Sequence, residues 1–203
     1  MLWVNSRIIT FGTKKQETLR SVNAPRTCSK RGPKVRTNNT KRQNRIDLME
    51  QTLVILKPSA VERCLIGEII TRIQDKGLII SGMKMMQLDE IILREHYAHL
   101  VDRPFFPSIV ESMTASPVIV MCLKGVDAVS VFRRMTGVTN GRNAVPGTLR
   151  GDFCMSGQAN IIHASDSVEN ARIEISRFFS PSEIFDYIPA NLKFLYSEDE
   201  LKA

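Results

Sequence analysis

Apolar positions along the chain fall into two alternating rhythms. Thr52 to Lys57 (TLVILK) is a short β-rich run stopped by Pro58, so the pattern predicts a strand running into a turn. Val61, Leu65, Ile66, Ile69, Ile70 and Ile73 then recur at helical spacing up to Gly77, and Ser59 with Glu62 has capping-box spacing. One helix is predicted there. From Leu78 to Leu88 most positions are apolar on both phases, which predicts a strand covered on both faces. Asp89 or Glu90 opens a helix through Ile92, His96 and Leu100, and a second helix runs from Phe105 to Ala115, before Ser116-Pro117. Val118 to Leu123 (VIVMCL) predicts another buried strand, closed by Gly125. Val126, Val129, Phe132 and Met135 mark the helix after it, ended by Gly137.

The rhythm stops between Val138 and Asp152, where Asn140-Gly141, Pro146-Gly147 and Arg150-Gly151-Asp152 make a loop of about fifteen residues. A loop that long in a compact domain is usually functional. Asn160 to Ser167 (NIIHASDS) then predicts strand, histidine, helix, with Asp166 as N-cap, Glu169 completing a capping box, and Val168, Ala171, Ile175 and Phe178 on one face. Beyond Phe179 the tail, with Pro181, Tyr187, Pro189 and an acidic end, is expected to wrap the surface. Without its extra helices the order is βαββαβ. That predicts an α+β, ferredoxin-like domain: a four-stranded antiparallel sheet with helices packed on it.

Charge changes the picture of the N-terminus. Residues 1–46 carry 12 Lys/Arg and one acid (+11), while residues 47–203 carry 16 and 20 (−4), which together give the chain's +7. The basic character belongs to the leader, so no specific nucleic-acid contact is expected of the folded part. Residues 1–48 have too little apolar periodicity to order themselves and are expected to form a disordered leader before a domain at 49–203. An acid-poor basic leader with an amphipathic start suits a mitochondrial presequence. Lys30-Arg31 and Lys41 to Arg45 equally suit a nuclear signal, and a plain cytoplasmic tail is the third possibility. Met49 is a candidate alternative start.

Cys28, Cys64, Cys122 and Cys154 are widely spaced, form no C-x-x-C pair, and are expected to be buried thiols. No apolar run approaches the ~18 residues that a membrane span needs. There is no G-x-x-x-x-G-K-[ST] phosphate loop and no dinucleotide fingerprint.

The feature richest in chemistry is His163. A strand-to-helix junction presents free N–H groups and positive dipole to an anion such as phosphate. Glu174 on the following helix could accept from one ring nitrogen and leave the other free to attack. On these residues alone, a histidine satisfied within a turn remains the alternative.

The motifs together are specific. Leu56-Lys57-Pro58, His96-Tyr97, Asp102-Arg103-Pro104-Phe105-Phe106, Thr139-Asn140, Pro146-Gly147-Thr148, Arg150 to Cys154 (RGDFC) and the His163 stretch, in this order from residue 51 to about 190, resemble the nucleoside diphosphate kinases. The resemblance implies transfer of the γ-phosphate of ATP to a nucleoside diphosphate through a phosphohistidine on His163, and so GTP, UTP and CTP synthesis. It implies Glu174 as orienter of the histidine, a catalytic part for Ser165, Lys57 at the γ-phosphate, and Arg133 and Arg150 at the phosphates. Tyr97 and Thr139 are implied to contact the histidine region and phosphate, Asn160 the ribose, and Phe105 the base face. Magnesium, carried mainly by the phosphates with no dedicated protein ligands, and a homohexamer are also implied. Phe106 is assigned to the core, Arg134 to solvent or an interface, and His96 and His99 to packing or the helix surface, although their spacing could in principle share a metal.

Four positions depart from the family pattern: Ser59-Ala60 for Asp-Gly, Ala164 for a glycine, Gly141 for a proline and Ala159 for an arginine. They bear on backbone tolerance, loop rigidity and oligomer stability. A reading of a different class, a nucleotide-binding scaffold whose basic leader is the working part, would show nucleotide affinity without forming GTP from ATP and GDP.

Overall fold

The computed structural model describes residues 49–201, so the expectation of a disordered leader over 1–48, and Cys28 with it, lies outside the described residues. Four strands form one antiparallel sheet in the order β2-β3-β1-β4: β1 Glu50–Leu56, β2 Ile79–Met86, β3 Val118–Gly125 and β4 Ile162–Ala164. Between them lie α1 Pro58–Glu62, α2 Ile66–Asp75, α3 Glu90–His96, α4 Phe106–Thr114, α5 Ala128–Thr136 and the short α6 Leu149–Phe153. Helix α7, Val168–Phe178, follows β4.

Strand β1 is central because Leu53, Val54, Ile55 and Leu56 are all fully buried and alternate between two cores. Val54 and Leu56 meet Ala60, Ile69, Ile73 and Phe132 on the face covered by α1, α2 and α5. Leu53 and Ile55 meet Leu93, Met113, Ile175 and Phe178 on the face covered by α3, α4 and α7. The helices of the βαββαβ pattern therefore take one face, and the extra helices seal the other. Each such side chain contributes about 1.5–3 kcal/mol through burial.

Several local expectations are corrected. The first helix is two helices, α1 and α2, separated by Cys64 at φ 55°; Lys57 is the N-cap, without a side-chain cap, and Glu62 instead accepts from Ser116 Oγ at 2.6 Å. Cys64 is exposed, whereas Cys122 and Cys154 are buried. Strand β2 is not covered on both faces, because it lies at the sheet edge with Met83 and Met85 more than half exposed. A bulge at Ser81 interrupts its register with β3, and the carbonyl there accepts from Phe185 of the tail at 2.8 Å.

The N-cap of α7 is Ser167, which accepts from the Asn170 N–H, while Asp166 accepts from the Asn170 side chain at 2.6 Å. His163 lies inside β4, paired with Ile55, so it is a strand residue and not a junction residue. The long loop contains two short helical turns, Gly141–Asn143 and α6. The tail packs back on the sheet edge through Lys84–Glu183 and Lys124–Asp186 ion pairs at 2.8 and 2.7 Å.

Candidate active site

Strand β4 carries His163 to the end of the sheet where Lys57 leaves β1, and the Lys57 N–H bonds the Ile161 carbonyl at 2.9 Å. A cleft of about 580 Å³ opens there. It is lined by Lys57, Tyr97, Arg133, Thr139, Arg150, Asn160, His163 and Glu174, residues drawn from six regions of the chain. A neighbouring apolar recess shares Lys57, Tyr97, Thr139 and Asn160 and adds Phe105, whose ring is half exposed. Phe106 is buried in contrast, as expected for a core residue. Arg134 lines neither space.

Around the histidine the hydrogen bonds are ordered from the core outward. The Leu53 N–H donates to Ser165 Oγ at 3.0 Å, Ser165 donates to Glu174 Oε2 at 2.6 Å, and Glu174 Oε1 faces His163 Nε2 at 3.1 Å. Burial pushes the Glu174 carboxyl up, but bonding to His163, the histidine's proximity and the Ser165 hydroxyl outweigh it, leaving its pKa below the ordinary value. An ionised carboxylate only accepts, so Nε2 carries the proton. Nδ1, with no hydrogen bond among the described residues, keeps its lone pair. Ser165 is fully buried and lines neither space; it acts through Glu174.

Among the described residues none of the three cations forms an ion pair, although Arg133 is near enough to help lower the Asp166 pKa. Lys57 Nζ bonds Asn160 Oδ1 at 2.8 Å, its one hydrogen bond among the described residues, and burial, then repulsion from Arg150, lowers its pKa to about 8. Arg150 spends its two terminal nitrogens on the Gly137 and Ile162 carbonyls, both at 2.7 Å, and its Nε is buried without a partner among the described residues. Burial lowers its pKa too, and Arg133 adds to the effect. Arg133, in the last turn of α5, is exposed along the cleft wall. A polyanion entering here would relieve all three. Burial, with Glu174 adding to it, raises the Tyr97 pKa, so its hydroxyl stays a donor.

The loop carrying Arg150 is tightly built. Gly137 at φ 75° has no room for a Cβ, which would meet Thr148 Oγ1 at 2.5 Å, and Thr148 caps α6 through the Gly151 N–H. Gly141 is likewise required, since a Cβ would lie 2.3 Å from the Cys154 carbonyl. The departure at Ala164 is harmless: it sits in β4 opposite Val54 and is not among the described residues with positive φ.

His96 is a packing residue, as expected, yet it packs inside the site. Its ring is edge-on to His163 at 4.5 Å and to Tyr97 at 4.6 Å, and Arg177 Nη1 lies 3.3 Å from its Nδ1. Burial, helped by repulsion from His163, lowers its pKa to about 3. Arg177 and Asn170, which also line the cleft, were not found from sequence. Only their place on the turns of α7 around Glu174 could have pointed to them. His99 lines the cleft from a separate turn.

The family model for nucleoside diphosphate kinase matches residues 50–184. The nucleoside diphosphate kinase of Parabacteroides distasonis is 60% identical over 152 residues, covering 75% of this chain and 99% of its own. Human nucleoside diphosphate kinase A is 46% identical over 147 residues, covering 72% and 97%. The solved structure of a halophilic nucleoside diphosphate kinase from Halobacterium salinarum in complex with CDP superposes with TM-score 0.71 at 39% identity, covering 73% of this chain and 99% of that one. With this match spanning the sheet, the cleft and the histidine, the chain belongs to the nucleoside diphosphate kinase family and has its activity, phosphoryl transfer from a nucleoside triphosphate to a nucleoside diphosphate.

Proposed function

We propose that His163 Nδ1 is the atom that carries the phosphoryl group. The observation behind this is the His163 Nε2 to Glu174 Oε1 contact of 3.1 Å, which ties up one ring nitrogen and leaves the other's lone pair available in a cleft that Lys57, Arg133 and Arg150 also line. In the first half-reaction the Nδ1 lone pair forms a bond to the γ-phosphorus as the bond to the β–γ bridging oxygen breaks. The nucleoside diphosphate leaves with that electron pair. A second diphosphate reverses the step, so one site serves both nucleotides in turn.

Lys57, Arg133 and Arg150 neutralise the phosphate oxygens, and Tyr97 and Thr139 add hydroxyl donors. Asn160, anchored by Lys57 Nζ and by its own bond to the Gly157 carbonyl, takes the ribose contact in this reading. Phe105 stacks on a base face without reading its edge, which suits general nucleoside triphosphate synthesis. Glu174 steadies the charge that develops on the imidazole, and Ser165 holds Glu174.

The family needs a divalent cation, and we assign magnesium to that role. Glu95, Asp166 and Glu174 are the carboxylates lining the cleft, and Glu174 is committed to His163 and Ser165. Such a lining fits a cation held chiefly by phosphate oxygens and water, which when bound offsets phosphate charge. Exposure of Met83 and Met85 on the edge strand supports assembly with further copies, as a homohexamer. The composition of residues 1–48 supports a mitochondrial address ahead of a domain at 49–203, with cytoplasmic or nuclear placement as alternatives.

Incubation with γ-labelled ATP tests the central assignment. An acid-labile, base-stable label that disappears in His163→Ala supports it, and a label retained by that variant removes it.

A further inference from the structure

Three ligand atoms gather in the wall of the cleft, which His96, His163 and Glu174 all line. His163 Nε2 and His96 Nδ1 lie 3.1 and 4.0 Å from the same oxygen, Glu174 Oε1, and the ligand atoms of the trio all fall within 4.8 Å of one another. A tetrahedral zinc site with bonds of about 2.1 Å places its ligand atoms about 3.4 Å apart, inside that range. We propose that His96, His163 and Glu174 form an inhibitory site for zinc, a role separate from the magnesium that accompanies the nucleotide.

The chemistry separates the two ions. Two imidazoles and one carboxylate suit a borderline-soft ion, whereas magnesium prefers an octahedron of oxygens. The fourth position would face the cleft through His163, the more exposed of the two rings at 19% against 1% for His96. Arg177 can only donate, so its approach to His96 Nδ1 at 3.3 Å means that this nitrogen already presents a lone pair. Zinc would displace Arg177 from Nδ1 toward Glu95, whose Oε2 is 3.7 Å from Arg177 Nε. Ser165 keeps its bond to the other oxygen, Oε2.

Zinc inhibits here by moving a proton. In the free enzyme His163 carries its proton on Nε2. Zinc takes the Nε2 lone pair, so the neutral ring must hold its proton on Nδ1, exchanged through solvent with no net release. Nδ1 then has no lone pair for phosphorus. Coordination also takes Oε1 of Glu174 away from its role as hydrogen-bond acceptor.

The test uses the full chain, stripped of metal and free of nucleotide, so that its outcome does not depend on the kinase assignment. Zinc alone is titrated against a chromophoric chelator, and crystals grown with equimolar zinc are measured at the zinc absorption edge. The expected results are one tight zinc per chain, an anomalous peak between His96, His163 and Glu174, and affinity about 100-fold weaker in His96→Phe. Added to magnesium and ATP, zinc should then slow phosphoenzyme formation in the native chain, relative to its own uninhibited rate, far more than in the variant. A peak at Cys64 or His99, or equal zinc affinity in His96→Phe, overturns the proposal. Should the variant not fold, the anomalous peak in the native chain decides alone.

Discussion

Glu174 Oε1 lies 3.1 Å from His163 Nε2, while its other oxygen takes the Ser165 hydroxyl at 2.6 Å. This one carboxylate therefore sets both the tautomer and the tilt of the ring. In Glu174→Gln the amide oxygen can still accept from Nε2, so geometry persists, but the charge that steadies a developing imidazolium is lost. A hydrogen bond to a charged group is worth about 1.5–3 kcal/mol, so kcat/KM is expected to fall by about 10- to 150-fold with little change in Tm. Steady-state kinetics beside thermal melting would show it, and an undiminished kcat/KM would deny Glu174 this part.

Ser165→Ala should behave differently. It leaves the buried Leu53 N–H without its acceptor and Glu174 without a donor. An orphaned buried donor costs about 1–3 kcal/mol. Denaturant unfolding should show that loss, together with a fall in activity, and a variant as stable as the parent would mean that the site relaxes around the gap.

Lys57 gives the pH dependence. Its pKa is depressed to about 8, so its ammonium is present below that pH and fades above it in the free enzyme. Phosphate binds the ammonium, so kcat/KM should decline above pH ~8, which reports the free-enzyme group. Lys57→Arg, which does not titrate there, should flatten that limb whatever its absolute rate. For folding the sign is the opposite. Between about pH 8 and 10.5 the unfolded chain holds more protons at this residue, so its contribution to stability rises with pH across that window.

Arg150 bridges two backbone carbonyls 2.7 Å away with one planar group, linking the end of α5 to β4. A lysine can satisfy only one of them and reaches the phosphates as a point charge. Arg150→Lys is expected to raise the KM for nucleotide and lower Tm together. An unchanged Tm would mean that those two carbonyls find other donors.

Gly141 carries a prediction against the family pattern. Its N–H bonds the Ser156 carbonyl at 3.3 Å, and a Cβ there would press on Cys154. Gly141→Pro should therefore destabilise this chain, lowering Tm. A gain in Tm would show that the loop adopts another path.

Much of this was legible in the sequence because Leu53 to Leu56 in β1 and Val118 to Leu123 in β3 are unbroken apolar runs and Gly137 is a sharp stop. All of the residues assigned to phosphate and ribose converge on one cleft, and Phe105 sits in the recess beside it. The split between α1 and α2 was not legible, because the isoleucine period continues straight across Cys64, an L-residue in a left-handed conformation with no glycine or proline to announce it. Ser167 takes the cap from Asp166 because the two are adjacent and equally able, and only the fold decides which is aimed at the Asn170 N–H. The exposure of Met83 and Met85 follows from the position of β2 at the edge, a consequence of topology and not of residue type. The approach of His96 to His163 joins residues 67 positions apart, which no local pattern encodes.

The most direct measurement is tandem mass spectrometry, or phosphorus NMR, of the chain caught after one half-reaction with ATP and magnesium. The geometry predicts one phosphoryl group per chain on His163, bonded to Nδ1, and its discharge on addition of GDP with formation of GTP. A phosphoryl group on Nε2, on another residue, or one that GDP cannot remove would contradict the account.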